Sequence, residues 1–241
     1  MRVGIHQMNY IPWMGYFNKI AKSDAFILMD EVQLSDGAMS QRNRVLNKNG
    51  DISFLTVAFE KKGYMEIPFS EVKLNSSVDW QKRQYNFLWD NYHKFPFWKE
   101  VYNTFSFLFE EKFSTLQQVN ERAIRKIMEL LDIQTPLIYQ SSLGYDRSAK
   151  RNDLVLELCK AIDADIYLSG TGAKKYMDVS TFKQQDIDVQ FQTFSHPVYP
   201  QKYAFDGPVL GLSILDVFLN CGIDRTKRLF WENLCSDEIS E

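Results

Sequence analysis

Cysteine is scarce and unpatterned in this chain: Cys159, Cys221 and Cys235 are the whole set in 241 residues. An odd, widely spaced set is neither a disulfide framework nor a zinc-binding spacing. Cys159 and Cys221 fall in apolar helical patterns, where a thiol is expected to be buried and inert. No apolar run approaches the ~20 residues of a membrane span. The amino terminus lacks the basic-then-apolar pattern of a secretory signal. A cytoplasmic protein is therefore expected. Charge of one sign is also lacking. The net charge of −3 and a pI near 5.7 leave no electrostatic footprint for nucleic acid or a membrane surface. There is no serine elbow, kinase set, Walker loop or dinucleotide fingerprint, and no internal repeat.

What is present is a hydrophobic share of 45% with aromatics at 15%, enough for a core and for ring-lined pockets. Arg2 to His6 reads as a first strand and Pro12 to Ala21 as a helix, with Pro12 at a position that favours helix starts. Ala25 to Met29 is a continuous apolar run, as in a strand buried on both faces. Asn47 to Gly50 reads as a turn between strands Arg44–Leu46 and Ile52–Phe59. Residues 79–131 carry apolar residues at helical spacing. Strand and helix then alternate: Leu137–Gln140, Asn152–Ile162, Asp165–Ser169, a strand over Val189–Phe194, and an apolar helix over Ser213–Asn220 ending at Gly222. The tail after Cys235 reads as loose. This rhythm predicts an α/β fold, a mostly parallel Rossmann-like sheet flanked by helices. One domain over residues 1–241 is expected, with a helical insertion or cap at about 79–131.

In such a fold, ligands bind where strand carboxyl ends meet helix amino ends. Four groups of residues are candidates on that rule. The first is His6, Gln7, Asn9, Tyr10, Trp13 and Tyr16. His6 ends the first strand and is the expected general base. Gln7 and Asn9 donate and accept, and Trp13 and Tyr16 offer ring faces. Trp13-Met14-Gly15-Tyr16 has the layout of a nucleotidyltransferase His-x-Gly-His run, but neither aromatic carries the positive charge that chemistry requires. The second group is Gln41, Arg42, Asn43 and Arg44, whose arginines suit phosphate or carboxylate. A solvated edge strand explains it equally. Asp30 and Glu31 would act as a base or metal ligand, or pair with these arginines. The third group is Ser169, Gly170, Gly172 and Lys174 in the run Ser169 to Tyr176, a small-residue turn after a strand that turns amides to an anion. The fourth is His196, held between prolines in an extended loop. His93 reads as a surface or packing residue. No metal-ligand spacing is found.

Several of these segments carry a resemblance. His6 to Phe17 is similar to the opening His-Gln-x-x-Tyr-x-Pro-Trp-x-Gly-Tyr-Phe run of the WbqC-like protein family. An acidic-Val-Gln follows a hydrophobic strand at Met29 to Gln33. A Gln-x-Arg segment lies at Gln41 to Arg44, Tyr-Leu-Ser-Gly at 167–170, and Leu-Ser-Ile-Leu-Asp at 212–216. The match runs in order through nearly the whole chain, with Met8 where the family commonly has proline. The resemblance implies a setting in O-antigen and other lipopolysaccharide biosynthesis, where members are described as transferases. It supplies no catalytic residues.

Taken together, the residues and the resemblance lead to a transferase that moves an acyl or aminoacyl group to the amine of a nucleotide-linked sugar. The expected partner is that small-molecule substrate, a nucleotide sugar. The alternatives are a nucleotide-dependent activating enzyme of adenylyl or nucleotidyl transfer type, and a non-enzymatic module binding a partner protein. The sequence identifies no cofactor and no oligomeric state.

Overall fold

Seven strands and nine helices are found among the described residues of the computed structural model, which are 1–34, 37–175 and 177–239. The strands are β1 (Arg2–Gln7), β2 (Ala25–Met29), β3 (Arg42–Leu46), β4 (Ile52–Thr56), β5 (Leu137–Tyr139), β6 (Ile166–Ser169) and β7 (Asp188–Phe191). The helices are α1 (Met14–Ala21), α2 (Trp80–Tyr92), α3 (Trp98–Phe105), α4 (Phe107–Glu110), α5 (Leu116–Leu130), α6 (Asn152–Lys160), α7 (Val179–Lys183), α8 (Ile214–Cys221) and α9 (Ile223–Ile239). Five strands form one parallel sheet in the order β5-β2-β1-β6-β7, and β3 pairs with β4 as an antiparallel hairpin. The expected α/β class, with a parallel sheet flanked by helices, is what the chain adopts.

Alternation along the strands assigns the two faces. Val3, Ile5 and Ile27 pack with Leu158, Cys159 and Phe182 from α6 and α7. Phe26 and Leu28 face the larger core, built with α1, α5, α8 and the other helices between residues 80 and 130. The Phe26 ring of β2 and the Ser23 hydroxyl lie over β1 at Gly4, where a Cβ would meet both at 2.6 Å. α5 begins with a capping box in which Thr115 and Gln118 satisfy each other's backbone N–H.

The sheet order reverses at β1. From there the chain winds outward to β2 and β5 on one side and to β6 and β7 on the other, so a topological switch point lies between β1 and β6. Pairing of β1 with β2 extends to Gln7↔Met29, whereas pairing with β6 stops at Gly4↔Leu168. β1 and β6 therefore part at their carboxyl ends, which opens a crevice.

Several element ends differ from expectation, each for a local reason. α1 begins at Met14 rather than Pro12, because Trp13 is extended (ψ 163°), bridges Ser213, and leaves Pro12 O to accept from Ile214 N. β7 stops at Phe191, because Gln192 turns inward and donates to Gly15 O (2.7 Å) and Asn18 Oδ1 (2.8 Å). α9 continues directly from α8 across Gly222 (φ 77°), where only the chain direction changes. The tail taken as loose is helical as far as Ile239, and its side chains after Cys235 lie outside the described residues.

Candidate functional site

The loop from Met8 to Trp13, between β1 and α1, is buried, so its backbone carbonyls need internal donors. Asn43 Nδ2 donates to Tyr10 O (3.0 Å) and Ile11 O (2.9 Å), and Ser213 Oγ also donates to Ile11 O (2.7 Å). Asn120 Nδ2 on α5 donates to Met8 O (3.2 Å) and Ser40 O (2.7 Å). Ile11 is held at φ 37°, which a β-branched residue adopts only under outside constraint. This stapled loop fixes the end of β1 and the start of α1, the two elements that border the crevice.

Odd-numbered residues of β1 turn their backbone groups toward β6, as Met1 O does in accepting from Asp165 N and Ile166 N. Beyond the last strand pair, Ile5 O and Gln7 O face the crevice. Ile5 O accepts from Lys19 Nζ at 2.8 Å. Gln7 O accepts from His6 Nδ1 (2.8 Å) and from the Tyr16 hydroxyl (3.4 Å). The first contact fixes the proton on His6 Nδ1 and leaves Nε2 as an acceptor.

A cleft of about 770 Å³ opens here, and its lining includes His6, Gln7, Lys19, Arg151, Ser169 and Gly170. A second chamber of about 310 Å³ shares His6, Lys19, Gly170 and Gly172 with it and adds Trp13, Tyr16, Gln192, Phe194 and His196. No Asp or Glu lines either chamber among the described residues, while Lys19 and Arg151 supply basic groups. A Cβ on Gly170 or Gly172 would meet nothing within 4 Å, so the space above this turn is open. Arg151 precedes α6 at φ 56°, and Asn152 opens that helix with its side chain on Thr181 Oγ1 (2.7 Å). The positive end of the α6 dipole thus faces the cleft beside Arg151.

The second chamber is aromatic. The indole of Trp13 stacks on the His196 ring at 5.0 Å and 25°, and meets Phe194 edge-on at 5.1 Å. Gly15 is required by this ring, since a Cβ there would lie 2.3 Å from it. Tyr16 meets His6 edge-on at 5.3 Å.

Burial sets the protonation of these groups. It lowers His6 to about 4, with the Lys19 charge adding to the shift and the Gln7 carbonyl opposing it. His6 is therefore a neutral hydrogen-bond acceptor at neutral pH rather than a strong base. Burial lowers Lys19 from 10.5 to about 7. The Tyr16 hydroxyl is pushed up by burial and stays protonated. His196 is lowered by burial and by the charge of Arg44.

The structure brings His6, Gln7, Trp13, Tyr16, Ser169, Gly170, Gly172 and His196 together around the two chambers. Other candidates lie elsewhere. Tyr10 is fully buried in the core, with its hydroxyl on Gln84 Oε1 at 2.6 Å, so it is a packing residue. Asn9 is half-buried and lines neither chamber. Asn43 faces inward to staple the loop. Arg44 Nη2 donates to Gly211 O (2.8 Å), and Arg42 lies over the Phe54 ring at 4.5 Å. Gln41 continues the backbone pairing of the hairpin by accepting from Val57 N. The hairpin group therefore supports the site without lining it. Lys174 turns onto Phe191, 5.1 Å from the ring centroid, and away from the cleft. Tyr176, in the same run, lies outside the described residues. Asp30 holds Ser141 N (2.9 Å) and Oγ (2.6 Å), while Glu31 meets Tyr145 and Arg147, so neither pairs with Arg42 or Arg44. Among the described residues no cluster of His, Cys, Asp or Glu suits a metal ion.

Sequence reasoning missed Lys19, Arg151, Asn152 and Gln192. The signal for Lys19 was its spacing of four from Gly15, which puts the two on one face of α1.

The chain is 30% identical over 225 residues to the uncharacterized protein Rv1507c of Mycobacterium tuberculosis, covering 92% of this chain and 95% of that one. No solved structure matches it. The family model of the WbqC-like proteins matches residues 7–228, which takes in the stapled loop, the crevice and the strand-end turn at Gly170. The chain belongs to the WbqC-like protein family.

Proposed function

We propose that this protein is a transferase of bacterial surface polysaccharide biosynthesis, moving an acyl or aminoacyl group onto the amine of a nucleotide-linked sugar. The observation that carries the reading is the cleft at the switch point, basic at Arg151 and without a carboxylate among its described lining residues, continuous with an aromatic chamber. A nucleotide sugar needs both parts. Arg151, the start of α6 and the amides of the Gly170–Gly172 turn suit a diphosphate. Trp13, Tyr16 and His196 suit a ring face. His6 Nε2 is an acceptor for a sugar hydroxyl or amine. The association of WbqC-like proteins with O-antigen supports the same substrate class.

Thermal-shift measurement with nucleoside diphosphate sugars, the free nucleotides, and ATP or CTP with Mg²⁺ tests the reading. Stabilisation by a diphosphate sugar, reduced in Arg151→Ala, is expected. Stabilisation by the triphosphates alone would favour an activating enzyme, and no shift with any of them would favour a partner-binding module.

A further inference from the structure

Lys19 is buried at 4% exposure on α1, and among the described residues it has no ion-pair partner. Among the described residues its Nζ donates one hydrogen bond, to Ile5 O, at the point where β1 and β6 part. The side chain borders both chambers. Rings of Phe26 and Tyr167 stand 6.0 and 5.7 Å from the nitrogen. An ammonium in that position has N–H groups in excess of the protein acceptors around it. An amine with one N–H on Ile5 O has its lone pair free for the cleft.

We propose that Lys19 Nζ, rather than the imidazole of His6, is the proton acceptor of the cleft, taking the proton that a substrate amine releases as it attacks an activated acyl group. The transferase reading above supplies the identity of that nucleophile. The amine nitrogen bonds to the acyl carbon of an activated ester or thioester. The bond from that carbon to the leaving oxygen or sulfur breaks, and the leaving group departs with the electron pair. The N–H proton passes to the lone pair of Lys19. The resulting ammonium keeps its bond to Ile5 O and returns the proton to the leaving group or to solvent.

The surroundings keep the amine available. The titratable groups facing it are His6 on β1, Tyr16 on α1, Cys159 on α6 and Tyr167 on β6. None is a carboxylate that would hold an ammonium. His6 is lowered to about 4, and burial raises Cys159 to about 12, so both are uncharged at neutral pH. Lys19 itself is lowered to about 7, where the amine is abundant and still basic enough to accept a proton.

Competitive acetylation of the whole protein with trace acetic anhydride, read by peptide mass mapping from about pH 6 to about pH 10, tests this without a substrate. Lys19 is expected to acetylate with a midpoint near 7, against an ordinary lysine value of about 10.4, with the exposed lysines of the same protein mapped in the same digest. In turnover, the acid limb of kcat near pH 7 is expected to disappear in Lys19→Met with KM little changed. A Lys19 profile that superimposes on the exposed lysines, or no Lys19 acetylation at any pH, overturns the proposal even where a nucleotide sugar binds. A midpoint near 7 without nucleotide-sugar binding upholds the amine and overturns only the transferase substrate.

Discussion

Replacing Lys19 by methionine is expected to make the protein more stable at neutral pH, and the size of the gain follows from burial. The side chain is 4% exposed, and burial lowers its pKa from 10.5 to about 7. The unfolded chain therefore binds a proton at neutral pH that the folded chain holds only weakly. A depressed basic group destabilises the fold fully below its folded pKa, and the penalty shrinks as pH rises toward the unfolded value. At about 1.4 kcal/mol per tenfold in the proton equilibrium, the full penalty is about 4–5 kcal/mol. Methionine fills a similar volume without the charge but abandons Ile5 O, which costs about 1–2 kcal/mol. A net gain of about 2–4 kcal/mol is expected at or below pH 7. Above pH 7 the gain falls, and past about pH 10 methionine becomes the less stable residue. Urea unfolding of both proteins at several pH values between these limits measures the crossover. A loss of stability at pH 7, or a difference independent of pH, would refute the reasoning.

Three further substitutions separate support from contact. Asn43→Ala strands Tyr10 O and leaves Ile11 O to Ser213 alone, and a loss of about 1–3 kcal/mol in urea unfolding is expected. Gly172→Val places a side chain in open space, so stability should stay within about 0.5 kcal/mol while the thermal shift with a nucleotide sugar is lost. Tyr10→Phe removes the bond to Gln84, with an expected loss of about 1–2 kcal/mol and no change in ligand affinity, since Tyr10 lines neither chamber.

The fold was legible where the local pattern carried its own cause. Ala25 to Met29 reads as a strand buried on both faces and is one, and the Asn47–Gly50 turn joins two antiparallel strands as its composition requires. The switch-point residues followed from the strand-end rule, which needs only the order of elements. Chemistry that depends on packing was harder to read. Asn43 and Arg44 looked like ligand-facing groups because their type suits anions, but long-range contacts to Ile11 and Gly211 decide where they point. Tyr10 looked polar, and burial made it core. Lys19 carries no signal of its own in Asn-Lys-Ile, and only the parting of β1 from β6 gives its nitrogen a carbonyl and a cavity. Imidazole is the expected base because its ordinary pKa is nearest to 7, whereas burial lowers His6 to about 4 and Lys19 to about 7, which is why the proposal moves that role to Lys19.

The stapled loop also dictates an order of assembly. Its carbonyls are satisfied by Asn43, Asn120 and Ser213, at sequence separations of 33, 112 and 202 residues from the positions they hold. Contacts so distant form late, because the chain between them must be ordered before they can form. A chain growing on the ribosome completes the rim of its binding site only after Ser213 has emerged.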